Sequence, residues 1–427
     1  MDERALRPIS RPVDRTVSLP GSKSLTNRAL LAAALAAGTS HLEGVLFADD
    51  TQRMMNALGA LGVEIEADRD RRRVTLRGAG GRWPAGGADL FCGNAGTVIR
   101  FLTAACCAGS GDYRLDGEPR MRERPIGPLV DALRDLGSAV TYEGRDGFCP
   151  LSVHARGLRG GPVRFERPPS SQFVSALLLA APTASTDVLI DVSGPLPSAP
   201  YVRMTLSVME AFGVSAVEDG MRKFIVPAGQ TYAATHYEIE PDATAASYFW
   251  AAAALTGGRV TVDGLGSASV QGDTAFVDVL ERMGCRIQRT AHDTTVRGPE
   301  GGRLRGIDVD LNAMPDVAQT LAVLAAFADG PTRIRNVANL RIKETDRLFA
   351  LANELGRLDV ETEVYEDGIA IRPTRPPVAA VIDTYRDHRM AMSFALAGLR
   401  LDGVVIRDPG CVDKTFPEFF ELWDELG

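Results

Sequence analysis

Basic and hydroxyl-bearing side chains recur in short loops, each just ahead of a stretch rich in Ala and Leu. One set of loops reads PGSKSLT, CGNAGT, RPPSSQ, EPDAT, AMPDV and YRDHRM; a second includes PRMRERP, GPLPSAPY, SASVQGD, ANLRIKETDR and PGCVDKT. Where a loop enters a helix, unpaired backbone N–H groups and the helix dipole favour an anion, and Ser, Thr, Lys and Arg add donors. Lys23, Arg28, Arg100, Arg124, Lys343, Arg347, Arg389 and Lys414 all lie in or one turn after these loops. The chemistry they suit is the capture of more than one phosphate or carboxylate. Taken singly, each loop has an ordinary reading. Ser and Asp cap helices anywhere, KETDR could be a solvated helix face with i,i+4 pairing, and RMRERP could be a basic surface turn. The set carries the case.

The stretch LPGSKSLTNRALL is not a nucleotide P-loop. That motif needs a glycine five residues ahead of a Gly-Lys pair, whereas Thr16 holds the first position and Ser22 separates Gly21 from Lys23. A chain of 427 residues with 45% hydrophobic and 24% charged residues predicts a globular protein of two domains or a repeat array. Its net charge of −8 argues against nucleic-acid and anionic-membrane partners, so an anionic ligand needs a local basic pocket. Apolar runs such as ALLAAALAAG fall short of the roughly 20 residues of a membrane helix, and MDERALRPISRPVD lacks a signal-peptide core. Six cysteines without C-x-x-C spacing and five scattered histidines indicate neither a disulfide framework nor a metal site. A cytoplasmic protein is expected.

Two phrases repeat in step. An amphipathic helix closing on glycine appears as MMNALGALGVEIE, LVDALRDLGSAVTYE, TLSVMEAFGVSAVED, FVDVLERMGCRIQRT, LFALANELGRLDVETE and FFELWDELG. The closing glycines are Gly62, Gly137, Gly213, Gly284, Gly356 and Gly427, spaced by 75, 76, 71, 72 and 71 residues. A small-residue helix followed by a strand runs in phase with it, from NRALLAAALAAGTSHLEG to RMAMSFALAGLRLDGVVIRD. A glycine C-cap could produce one such phrase, but not two that keep phase six times. Each unit reads as strand, loop, small helix, strand, loop, amphipathic helix and strand hairpin. The last unit lacks its strands, so RPISRPVDRTVSLP is expected to supply one. The chain then crosses between its halves near residues 20 and 240.

The segments LPGSKSLTNRALL, GNAGTVIRFLTA, RPIGPLVDALRDLG, SSQFVSALLLAAP, SYFWAAAAL, QGDTAFVDVLERMG, RIKETDRL, DHRMAMSFALAG and DKTFPEFF, spread over residues 19 to 420, resemble the EPSP synthase branch of the enolpyruvyl transferases. The resemblance implies an α/β fold in two domains, an inside-out α/β barrel of six βαβαββ repeats, three per domain. Residues 21–239 would form the first domain, and residues 1–20 with 240–427 the second, with the active site in the interdomain cleft. It further implies two substrates, shikimate 3-phosphate and phosphoenolpyruvate, no cofactor or metal, a monomer, and glyphosate as inhibitor.

Carried over residue by residue, the resemblance assigns shikimate 3-phosphate to Lys23, Ser24, Arg28, Ser170, Ser171, Gln172, Ser198, Tyr201, Asp316, Asn339 and Lys343. Phosphoenolpyruvate falls to Lys23, Asn94, Gly96, Thr97, Arg124, Gln172, Arg347, Arg389 and Lys414. The implied catalytic set is Lys23, Asp316, Glu344, His388 and Lys414. The 5-hydroxyl of shikimate 3-phosphate would attack C2 of phosphoenolpyruvate while C3 takes a proton, and phosphate would leave as that proton is withdrawn. Glu344 is the candidate acid and base at C3, and Asp316 with Lys23 the candidate base at the hydroxyl. Phe101 departs from the pattern, since many members carry proline there; a disturbed helix behind Gly96 is the expected consequence. Three rivals remain. A transferase acting on UDP-N-acetylglucosamine would carry a cysteine acid where this chain has GEPRMRERP; a kinase would need the missing glycines; a non-catalytic anion binder would not need Lys23, Asp316 and Glu344 together.

Overall fold

Alanine-rich helices with few charges must bury almost their whole surface, which requires sheets or other helices on every side. The computed structural model describes residues 2–427 and satisfies that demand in two compact units, one of residues 21–239 and one of residues 1–20 with 240–427.

The unit of residues 21–239 holds helices α1 (Lys23–Leu35), α2 (Asp49–Ala60), α3 (Gly96–Cys107), α4 (Gly127–Asp135), α5 (Ser171–Ala180) and α6 (Ala199–Ala211). The other holds α7 (Ala243–Thr256), α8 (Phe276–Arg282), α9 (Ala318–Ala325), α10 (Arg347–Arg357), α11 (His388–Gly398) and α12 (Phe419–Asp424). The odd-numbered helices are the small-residue ones. All of α3 and α11 is buried, as is α7 from Ala243 to Leu255. Most even-numbered helices bury one stripe: in α10, Leu348, Leu351 and Leu355 face inward while Phe349 is 56% exposed.

Sheets wrap the inner helices of each unit, and those with four strands share one pattern, two parallel strands extended by an antiparallel hairpin; the three-stranded sheet has a parallel pair and one antiparallel strand. In residues 21–239 the strand orders are His236–Glu238, Ala37–Glu43, Arg73–Ala79, Glu64–Asp68; Gly87–Phe91, Ser110–Asp116, Leu151–Arg156, Ala139–Tyr142; and Gly161–Glu166, Val188–Ser193, Lys223–Val226, Val217–Asp219. In the other unit they are Asp14–Val17, Arg259–Val262, Thr294–Arg297, Arg286–Arg289; Asp308–Asp310, Thr332–Arg335, Gly368–Arg372, Glu361–Tyr365; and Val381–Ile382, Val405–Arg407, Glu3–Ala5. A two-stranded ribbon joins Leu304–Arg305 to Ala328–Asp329.

Two expectations change here. The strand in RPISRPVDRTVSLP is Asp14–Val17, and it pairs with Arg259–Val262 in register Asp14 to Arg259. The strand that extends the last sheet lies upstream, Glu3–Ala5, with Glu3 opposite Arg407. Gly356 also does not close its helix, for α10 continues to Arg357 and the left-handed residue beyond it is Asp359, φ 63°. Asp tolerates that conformation better than most side chains, so an acid stands where Gly62, Gly137, Gly213 and Gly284 all show positive φ.

The aromatic run at the end of the chain explains its spacing. Phe416, Phe419 and Trp423 meet Phe249 of α7 at ring-centroid distances of 6.3, 6.1 and 5.6 Å. Burying each such ring contributes about 1.5–3 kcal/mol, which fastens α12 to the central helix of its unit.

Candidate active site

Helix starts carry the candidate side chains, and capping explains why helices begin there. Ser22 caps α1 through Leu25 N–H, Ser170 caps α5 through Gln172 N–H, and Asp387 caps α11 through Arg389 N–H. Each of these helices therefore begins one residue after a polar loop and presents its first turn to that loop.

In residues 21–239, Lys23 opens α1 and its Nζ lies 3.3 Å from Oδ2 of Asp50, a carboxylate only 1% exposed. One turn on, Arg28 is buried and spends its guanidinium on Thr205 Oγ1 at 2.8 Å, Ser24 O at 2.8 Å and Tyr201 O at 3.0 Å. Burial pulls its pKa down to about 10, against the pull of Tyr201 and Tyr237 in the other direction. The Phe101 ring lies 5.1 Å from that guanidinium, and α3 runs unbroken from Gly96 to Cys107. Phe101 thus leaves the helix behind Gly96 intact and supports Arg28 instead, contrary to the expected disturbance.

Gly96 opens α3 beside two arginines. A Cβ there would stand 2.6 Å from Nη2 of Arg124 and 3.2 Å from Nη1 of Arg100. Arg124 donates to the carbonyl and side-chain oxygens of Asn94 at 2.9 and 3.0 Å. Arg100 donates to Gln172 Oε1 at 2.5 Å and to Pro125 O at 3.0 Å. Gln172 therefore lies against Arg100, a residue of the polar loops that had no assigned role, Asn94 lies against Arg124, and Gly96 stands beside both arginines. Thr97 accepts from Asn27 Nδ2 at 2.9 Å. Ser171 is buried next to the capping Ser170, and Ser198, ahead of α6, is held at φ 56°. Tyr201 lies in the first turn of α6, its N–H bonded to Ser198 O at 3.0 Å.

In the other unit Asp316, Lys343, Glu344, Arg347 and Arg389 join with Asp387 in a single ion-pair chain. Arg347, 1% exposed, donates from Nε to Asp387 Oδ2 at 2.7 Å, from Nη2 to Glu344 Oε2 at 2.8 Å and from Nη1 to Asp316 Oδ1 at 3.1 Å. Burial works against its charge, but Asp387, Glu344 and Asp316 outweigh burial and hold its pKa well above the ordinary arginine value. Asp316 also takes Lys343 Nζ at 3.3 Å and Arg389 Nη2 at 3.0 Å. Arg389 reaches the Tyr248 hydroxyl at 3.4 Å; burial pushes that phenol up to about 12.

Three cations, Lys343, Arg347 and Arg389, thus alternate with three carboxylates, Asp316, Glu344 and Asp387. The donors are fixed in direction by neighbouring acids, the condition for electrostatic preorganisation. His388 is fully buried, with Nδ1 3.6 Å from Asp387 Oδ1. Lys414 ends the short 3-10 turn Pro409–Lys414 and is 8% exposed, and Asn339 lies in the turn Ala338–Ile342 ahead of Lys343. Asp50 and Asp387 leave little trace in the sequence: each acts on a partner brought near by folding, and only the YRDHRM run hints at the second. Among the described residues no group of three His, Cys, Asp or Glu side chains is placed to hold a metal. No helix there is long and apolar enough to cross a membrane.

A sequence profile of EPSP synthase (3-phosphoshikimate 1-carboxyvinyltransferase) matches residues 8–423. The 3-phosphoshikimate 1-carboxyvinyltransferase of Nostoc punctiforme is 49% identical over 426 residues, covering 100% of this chain and 99% of that protein. The EPSP synthase structure from Acinetobacter baumannii superimposes with a TM-score of 0.82 at 26% identity, covering 100% of this chain and 98% of that one. The enolpyruvyl transferase NikO from Streptomyces tendae shares the fold, with a TM-score of 0.77, 19% identity, and coverage of 100% and 97%. With the profile and the relatives spanning nearly the whole chain, the protein belongs to the EPSP synthase family.

Proposed function

We propose that the two constellations work on one substrate pair and divide the family's reaction between them. The protein is a transferase that moves the enolpyruvyl group of phosphoenolpyruvate to the 5-hydroxyl of shikimate 3-phosphate, on the route to chorismate and aromatic amino acids. The observation that carries the division of labour is the ion-pair chain through Arg347, which puts a carboxylate for proton transfer, Glu344, in contact with a planar donor for an anion.

In this reading Ser170, Ser171 and Ser198 take the phosphate of shikimate 3-phosphate, with Lys23, Ser24, Arg28, Gln172, Tyr201, Asn339 and Lys343 around the rest of the molecule. Lys23, the Asn94–Thr97 turn, Arg124, Gln172, Arg347, Arg389 and Lys414 hold phosphoenolpyruvate. Asp316 receives the hydroxyl proton once the substrate displaces one of its three cationic partners; Lys343, the most exposed of them at 19%, is the one to yield. Glu344 gives a proton to C3 and takes it back as phosphate departs, with His388, Arg389 and Lys414 steadying the leaving group. The same reading includes six βαβαββ repeats, in keeping with five four-stranded sheets of one strand order and a three-stranded sixth among the described residues, and one enolpyruvyl transferase domain per compact unit. It also includes a monomer, and a cytoplasmic location in keeping with six free thiols of which five are buried.

Two outcomes test the binding assignments. Phe101→Leu removes the ring from Arg28, and a cation–π contact of about 0.5–2 kcal/mol predicts a several-fold higher KM for shikimate 3-phosphate with that for phosphoenolpyruvate unmoved. A rise in the second constant alone would detach Arg28 from the acceptor. Gly96→Ala forces Arg124 aside, so glyphosate, longer than phosphoenolpyruvate, should lose about ten-fold in inhibition, while the KM for phosphoenolpyruvate rises less. Equal shifts in the two constants would mean that Gly96 does not discriminate between them. The defining assay is phosphate release from the two substrates with each omitted in turn.

A further inference from the structure

We infer that Glu354, a residue outside the proposed chemistry, is a positioning residue for the donor-binding arginines, because its carboxylate holds the turn that delivers Asp387, His388 and Arg389. The inference rests on the reading that Arg347 and Arg389 bind phosphoenolpyruvate.

The turn is strained. Tyr385 and Arg386 have φ of 54° and 55°, two successive side-chain-bearing residues in the left-handed region. Such residues stay there only where the surroundings fix them. Asp387 N–H closes the turn on Thr384 O at 2.8 Å, and the next residues open α11.

The fixing contacts come from α10. Glu354 is fully buried, and its two oxygens are both engaged: the Tyr385 hydroxyl donates to Oε1 at 2.7 Å, and Asp383 N–H donates to Oε2 at 2.9 Å. Arg357 lies 3.3 Å from Glu354 Oε2 and also pairs with Asp383 Oδ2 at 2.5 Å. Arg407 takes the other Asp383 oxygen at 3.1 Å. Two helical turns earlier on α10, Arg347 holds Asp387. One helix therefore grips the turn at both ends, with Glu354 at Asp383 and Tyr385 and Arg347 at Asp387. A buried carboxylate is a costly way to fill space; here its acceptor geometry matches a backbone N–H and a phenol that no apolar side chain could hold.

The consequence runs through Asp387, which orients Arg347 with both oxygens at 2.7 and 3.3 Å and caps the helix start that carries Arg389. Loosening the Glu354 end lets the strained turn relax and displaces Asp387. The donor substrate should feel this and the acceptor should not.

Tyr385→Phe tests it by deleting one hydroxyl. Losing a hydrogen bond to a charged group corresponds to about a ten-fold change, so the KM for phosphoenolpyruvate should rise about ten-fold while that for shikimate 3-phosphate stays within about two-fold. Glu354→Gln can still accept from Asp383 N–H and donate to the Tyr385 oxygen, so it should be milder; Glu354→Leu, which can do neither, should be worse. Circular dichroism and thermal melting establish that each variant is folded, and should Glu354→Leu fail to fold, Tyr385→Phe decides alone. Unchanged constants in folded Tyr385→Phe, or equal shifts for both substrates, would overturn the inference. Arg389→Lys separates it from its premise: if that variant also leaves the KM for phosphoenolpyruvate unmoved, the donor assignment itself falls.

Discussion

Arg347→Met is expected to destabilise its unit by about 3–5 kcal/mol, the cost of leaving buried charges without their partner. Methionine keeps an apolar stem and removes the guanidinium that makes the bonds to Asp387, Glu344 and Asp316. Asp387, which is fully buried, then loses a two-bond contact, and Glu344 and Asp316 lose one each. Equilibrium denaturation in urea measures the loss of stability directly. A variant as stable as the parent would mean that the three carboxylates do not depend on Arg347, and the ion-pair chain would lose its hub.

Glu344→Gln should lower kcat by about 10²-fold or more, as expected on losing a positioned acid and base, with both KM values within about two-fold. Glutamine preserves the shape of the side chain, and its carbonyl oxygen can still accept from Arg347 Nη2, so the hub stays assembled while proton transfer is removed. The position supports this role, since Glu344 is 8% exposed and lies between Lys343 and Arg347 in sequence. Near-parental turnover with unchanged affinities would pass the proton at C3 to another group, with His388 and Lys414 next in line.

Much of the candidate site is legible in the amino-acid sequence, because a polar loop at a helix start leaves a local signature. A polar loop with Ser, Thr, Lys or Arg ahead of an Ala-rich run is visible within about ten residues, which is why Lys23, Gly96, Ser170, Asp316 and Arg389 stand out. Charge balance leaves no such signature. Asp387 and Arg347 are 40 residues apart, Arg100 and Gln172 are 72 apart, and nothing near either member announces the other. The basic loops therefore suggest a positive pocket, whereas the folded chain pairs Arg347, Arg389 and Lys343 with acids. Phe101 misleads for the same reason, since its neighbour in space is Arg28 on another helix and not Gly96 on its own.

The repeat is legible to within a few residues. Gly62, Gly137, Gly213 and Gly284 mark helix ends because the backbone there turns left-handed, but at the fifth position Asp359 makes that turn and Gly356 lies inside the helix. The strand partners expected at the chain start are off by one sheet. Period-two patterns in three- and four-residue strands are too short to choose between edges of similar composition.

The most direct test is phosphate release from the purified protein supplied with phosphoenolpyruvate and shikimate 3-phosphate, then with each omitted, then with UDP-N-acetylglucosamine in place of shikimate 3-phosphate. Release that requires both phosphoenolpyruvate and shikimate 3-phosphate, and that Glu344→Gln suppresses by about 10²-fold, is the predicted result. Release with UDP-N-acetylglucosamine instead, or none with shikimate 3-phosphate, would contradict the transfer to the 5-hydroxyl on which the roles of Lys23, Asp316 and Glu344 depend.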